Sequence, residues 1–125
     1  MIMDNEETIN IFNALFRAEV ELQHAFYDNH SRMHSYKRPF NTNDSLFRDT
    51  QKLAKDWGNF DDDERFSRIQ ILKNLWHLMV SQLIPIELSD IHNPARTQVF
   101  ELIWDVKMCI DRLFDLINID STLFF

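Results

Sequence analysis

The chain has 125 residues, 45% of them hydrophobic, 13% aromatic and 26% charged, and its 13 Lys and Arg against 20 Asp and Glu leave a formal charge of −7. Those proportions describe one globular domain, long enough to bury a core without metal or disulfide staples. Gly58 is the only glycine, which excludes phosphate loops, dinucleotide fingerprints, nucleophile elbows and EF-hand loops, since each needs glycine at fixed offsets.

Hairpin turns lean on glycine for positive backbone φ, so the expected class is all-α. Cys109 stands alone, which leaves no intrachain disulfide, no CxxC and no thiolate zinc site. The start, Met-Ile-Met-Asp-Asn-Glu-Glu, carries acids where a secretory signal needs a basic segment, and no apolar run approaches the roughly 18 residues of a membrane span. A cytoplasmic location, with no membrane partner, is the expectation.

Residues 5 to 27 carry Ile9, Phe12, Leu15, Phe16, Val20, Leu22, Phe26 and Tyr27 at helical spacing, with Asp4 and Glu7 placed as a capping box would be. Residues 28 to 43 are polar, contain Pro39 and hold Arg32, Lys37 and Arg38 with no acid from Asn29 to Thr42. They read as a long connection. A second helix is predicted from about Asp44 or Ser45 to Trp57, presenting Leu46, Leu53 and Trp57 and stopping where Gly58 could adopt a left-handed cap. Asp61, Asp62, Asp63 and Glu64 open a third, where negative charge meets the positive end of the helix dipole, and Pro85 is expected to close it. Its stripe is Ile69, Leu72, Trp76, Met79 and Leu83. The fourth starts with Asn93 as N-cap and Pro94 as first helical residue and continues to about Asn118. There Val99, Ile103, Val106, Ile110, Leu113 and Ile117 alternate steps of four and three, which marks the central core helix. The predicted architecture is a four-helix bundle-like single domain over residues 1–125, with one long polar connection after the first helix.

Glu19 falls in the middle of the apolar stripe of the first helix, so it is expected to be partly buried. A buried charge needs a partner, and Arg65 or Arg68 beside the apolar face of the third helix are the candidates by pattern. The alternatives are a structural ion pair and a polar site in the bundle core. Glu21 and His24 match half of a di-iron Glu-x-x-His pair but lie opposite the apolar stripe, and the second half is missing. His30 and His34 lack the carboxylates or thiolates that would complete a metal site. No metal and no cofactor is expected. His77 sits with Gln70, Lys73 and Asn74 on the predicted polar face of the third helix, and Cys109 reads as a small core hydrophobe.

Arg32, Tyr36, Lys37 and Arg38 have the composition of a weak nucleic-acid contact, but most of the remaining surface is acidic and would repel phosphates. More telling is surplus apolar surface. Ile71 and Leu78 lie one heptad apart on the side of the third helix away from its main stripe, with Leu75 between. Phe100, Trp104 and Phe114 lie outside the main arc of the fourth, and the chain ends in Leu123, Phe124 and Phe125. Either the tail covers these positions or another chain does. The expected function is therefore a small acidic module, not an enzyme, that acts by stoichiometric contact with a protein of basic surface, of the immunity, inhibitor or adaptor kind. Ile71, Leu75, Leu78, Asp61, Asp62, Asp63 and Leu123 to Phe125 are its expected binding residues. A homodimer is the variant of that reading. The alternatives are an enzyme or ligand sensor built around Glu19 with Arg65 or Arg68, and a nucleic-acid-associated regulator.

Overall fold

The structure, a computed structural model, describes residues 2–30, 36–89 and 96–117. Four helices account for nearly all of them: α1 (Ile2–His30), α2 (Lys37–Asp56), α3 (Asp62–Ser89) and α4 (Arg96–Leu116), with a 3-10 turn at Trp57–Asn59 between α2 and α3. There is no strand among the described residues. Each helix packs against two neighbours: α1 on α2 and α4, and α3 on the same two. The ring contacts fix the directions. Phe12 meets Trp57 and Phe26 meets Tyr36, so later residues of α1 face earlier residues of α2. Phe66 meets Phe114 while Trp76 bonds to Ile103, so α3 and α4 are antiparallel as well. The fold is an all-α, four-helix bundle-like arrangement, as the periodicity predicts.

The core sits where the four apolar stripes converge. Leu15, Leu22 and Phe26 of α1, Leu46 and Leu53 of α2, Ile69, Leu72 and Met79 of α3, and Val106, Ile110, Leu113 and Phe114 of α4 are all buried, each stabilising the fold by roughly 1.5–3 kcal/mol through apolar area removed from water. Trp76 is buried too, and its ring N–H donates to the Ile103 carbonyl at 2.9 Å, which satisfies the polar handle of an otherwise apolar side chain. Phe114, placed by pattern outside the main arc, is fully buried.

Several boundaries differ from the sequence expectation, and each difference has a physical reason. The backbone of α1 is helical from Ile2, so Asp4 lies inside the helix rather than ahead of it. Ile9, Val20 and Tyr27, which share the helical spacing of α1, are exposed. The long polar connection is shorter than expected, because α2 begins at Lys37. Pro39 falls in the first turn, where its missing N–H takes no bond away, and the aromatic contacts Phe26 to Tyr36 and Tyr27 to Phe40 hold the segment against α1. Gly58 supplies no left-handed cap: α2 closes on Trp57 in the right-handed region and tightens into the 3-10 turn, with Phe60 N–H donating to the Trp57 carbonyl. Pro85 does not close α3, which continues to Ser89. The ring sits on the exposed face while Leu83 and Ile86 on either side are buried, so packing outweighs the roughly 3 kcal/mol cost of an interior proline. Asn93, Pro94, Arg32, His34 and Leu123 to Phe125 lie outside the described residues.

Candidate functional site

The polar residues that matter most come from the seam between α1 and α2. On α1, Glu19 shares its face with Leu15, Leu22 and Phe26, and its side chain is 0% exposed. On α2, Asn43, Leu46, Thr50 and Leu53 follow one another at steps of three and four, so they form one stripe, and all four are buried. Antiparallel packing brings the two stripes into register.

Thr50 Oγ1 lies 2.7 Å from Glu19 Oε2 and 2.8 Å from the Leu46 carbonyl. A hydroxyl has one proton and cannot donate to both acceptors at once. A protonated Glu19 resolves the conflict, since its O–H donates to Thr50 while Thr50 donates to Leu46. Burial pushes the Glu19 carboxyl from 4.5 up to about 8, with the Thr50 hydrogen bond opposing the rise, which agrees with that proton count. Asn43 Nδ2 donates to the Glu19 backbone carbonyl and to Gln23 Oε1, both at 2.8 Å. Those two acceptors fix which end of the amide is nitrogen. The consequence is that Glu19 Oε1 and Asn43 Oδ1 are buried acceptors with no hydrogen-bond partner, a condition that costs about 1–3 kcal/mol per group.

Both residues line a cavity of ≈ 210 Å³ together with Val20, Gln23, His24, Asp44 and Phe47. Val20, in the same lining, is exposed. Phe47 packs edge-on against Phe16 at 5.6 Å, which holds its ring. Asp44 is paired with Arg48 at 3.2 Å. A wider groove of ≈ 400 Å³ runs between α1 and α4 over Ala14, Ala18, Leu102 and Cys109, with Arg17 and Arg112 set against Glu21 and Asp105. Burial pushes the Cys109 thiol up, against the pull of Arg112, so it stays a neutral apolar side chain.

The arginine partners expected for Glu19 are elsewhere. Arg65 donates to the Trp57 carbonyl at 2.7 and 3.0 Å, lies over the Trp57 ring and pairs with Asp62. Arg68 pairs with Glu64 at 2.9 Å and lies over Phe60. Both are satisfied at the α2–α3 turn, one bundle end away from Glu19, and the structure replaces the predicted ion pair by a hydrogen bond to a hydroxyl. Of the acidic run, Asp61 accepts from Glu64 N–H at 2.8 Å and so caps α3, while Asp62 faces Arg65. Lys73, assigned to a polar face, is buried, because it lies four residues after Ile69 and three before Trp76 on the core stripe. Beside it Lys107 pairs with Asp111 at 2.9 Å. His77 is pushed below its usual range by burial and by Lys73 and Lys107.

Tyr36 is fully buried and offers no face for stacking a base, which removes the aromatic part of the basic patch; Lys37 and Arg38 are exposed at the start of α2. Ile71 and Leu78 are exposed and Leu75 is half-buried against the core. Asn43 falls before the predicted start of the second helix, and Thr50 falls inside it but between the apolar positions Leu46 and Leu53 that define its stripe; the three- and four-residue steps from Pro39 through Thr42, Leu46 and Thr50 to Leu53 are the signal that places both on the buried face. No helix among the described residues is long and apolar enough to cross a membrane. No group of three or more His, Cys, Asp or Glu among the described residues could hold a metal ion. Compared with protein-family models, curated proteins and solved structures, the chain matches none.

Proposed function

We propose that this chain is a small acidic binding module that acts by stoichiometric contact with another protein, as an immunity protein, inhibitor or adaptor does. The observation that carries the reading is the apolar surface left after the core has closed: Ile71, Leu78 and Ile84 on α3 and Phe100, Trp104 and Met108 on α4 are all exposed. Ile71 and Leu78 stand about two turns apart on the edge of α3 away from α4, and make the ridge that helix-to-helix docking uses. Trp104 is 57% exposed, and tryptophan is among the residues that dominate binding energy once desolvated by a partner. A charge of −7 steers the chain toward a basic surface and speeds encounter at low salt.

Photo-crosslinking residues placed at Leu78 and at Trp104, in the cells the protein comes from, test this against a control at exposed Ser67. A one-to-one adduct with a protein of basic surface, formed at Leu78 or Trp104 and absent at Ser67, supports the reading. Adducts only between copies of the chain replace it by a homodimer, and adducts no different from the control overturn it. A second reading, a ligand sensor built around Glu19, is favoured by the two unpartnered buried acceptors there.

A further inference from the structure

We propose that the face formed by α1 and α4 binds a second copy of this chain, in a two-fold dimer that sets Arg17 and Arg112 of each copy against Glu21 and Asp105 of the other. This goes beyond the partner-protein reading and leaves Ile71 and Leu78 on α3 to that partner.

The groove between α1 and α4 has a floor of small and apolar side chains. Ala18, Leu102 and Cys109 are buried there, and Met108 beside them is 45% exposed. Four charged residues, all exposed, line the same groove: Arg17 and Glu21 on α1, Asp105 and Arg112 on α4. Among the described residues none of these four takes part in an ion pair. Arg17 and Glu21 are four apart on one helix, but arginine ahead of glutamate is the weaker order for such a pair. Later residues of α1 face earlier residues of α4, since Gln98 shares a cleft with Ala25 and Asp28 whereas Cys109 and Arg112 share the groove with Ala14 and Arg17. The two acids therefore stand toward one end of the groove and the two arginines toward the other. At the rise of an α-helix, about 6 Å along the axis separates the opposite charges on α1 and about 10 Å those on α4.

A surface that is positive at one end and negative at the other is complementary to itself turned end for end. A two-fold axis lying in the interface, across the groove, makes that turn and runs the helices of the two copies antiparallel. Arg17 then faces the second copy's Glu21, and Arg112 faces its Asp105, so every unpaired charge on the face gains an opposite one. Met108 lies about midway between Asp105 and Arg112 in the chain, so the Met108 side chains of the two copies meet beside the axis, where flexible thioethers pack well. A uniformly basic partner would meet Arg17 and Arg112 as like charges. The charge of −7 makes two copies repel over most of their surface, and this charge-balanced face is where they can approach.

Sedimentation equilibrium of the full chain tests the dimer, which is expected to form with a dissociation constant below about 100 µM. Arg17→Glu with Arg112→Glu makes the face wholly acidic, and Glu21→Arg with Asp105→Arg makes it wholly basic. Each pair is expected to weaken self-association at least tenfold. Mixed in equal amounts, the two variants are expected to form a one-to-one heterodimer about as tight as wild type, although both chains stay net negative; only contact between these faces restores it. Ile71→Glu with Leu78→Glu is expected to dimerise like wild type. All four charged positions are exposed, so melting temperatures should hold. If a reversed pair melts early, Arg17→Gln with Arg112→Gln is expected to show the same tenfold loss. A wild-type monomer at about 100 µM and above, charge-reversed variants that dimerise as tightly as wild type, a mixture that stays monomeric, or a dimer lost in Ile71→Glu with Leu78→Glu each overturns the proposal. Cross-links from Leu78 to a partner protein depend on none of these results.

Discussion

Stability should fall as pH rises through neutrality, and Glu19 is the reason. In the unfolded chain its carboxyl titrates near 4.5, while in the bundle burial holds it at about 8. The folded state therefore binds the proton more tightly, so the contribution of the protonated group is fully present below about pH 4.5. It is lost progressively as pH rises through the folded value, and stays lost above about pH 8. The gap between 4.5 and about 8 corresponds to about 5 kcal/mol, a large share of the 5–15 kcal/mol by which small domains are usually stable. The side chain is fully buried, so solvent does not screen this cost. Urea unfolding of wild type and Glu19→Gln, followed from about pH 5 to pH 9, isolates the effect, because subtracting the two profiles removes every other titrating group. The difference should grow by several kcal/mol in favour of Glu19→Gln and level off above pH 8. Parallel profiles would show that Glu19 is already ionised when folded, and would refute both the proton count at Thr50 and the unpartnered acceptor at Oε1.

Gly58→Ala should be neutral or stabilise by about 0.5–1 kcal/mol, since a Cβ there meets nothing within 4 Å and no left-handed φ has to be kept; a clear loss in thermal melts would contradict that. Asp61→Ala should cost about 1 kcal/mol in urea unfolding by uncapping Glu64 N–H, whereas Asp63→Ala should stay within about 0.5 kcal/mol. Equal costs would mean that the acids act only through the dipole. Ile71→Glu combined with Leu78→Glu should leave the fold within about 1 kcal/mol of wild type, because both side chains are already about half exposed, while abolishing cross-links from Trp104 if the two edges serve one partner. An unfolded double mutant by circular dichroism would make the stripe ordinary core.

Period and punctuation in the sequence were enough to determine the all-α class, the four stripes and the identity of most core residues. A 3.6-residue apolar repeat has one stable way to leave water, and a chain with one glycine has few ways to turn. The burial of Glu19 was legible for the same reason. What covers Glu19 was not, because a stripe on one helix carries no information about which stripe faces it. Only the antiparallel register of α1 and α2 decided that Thr50, and not Arg65 or Arg68, meets the carboxyl, while Asn43 donates to the Glu19 backbone carbonyl. Tertiary packing also decided the boundaries. Buried Ile86 carries α3 past Pro85, the Tyr36 and Phe40 rings pull the start of α2 back into the polar segment, and Lys73 is covered because its stem lies on the core stripe. In each case a local preference of about 3 kcal/mol or less was outweighed by apolar area buried against residues distant in the chain, which is why neither boundary was visible from the residues around it.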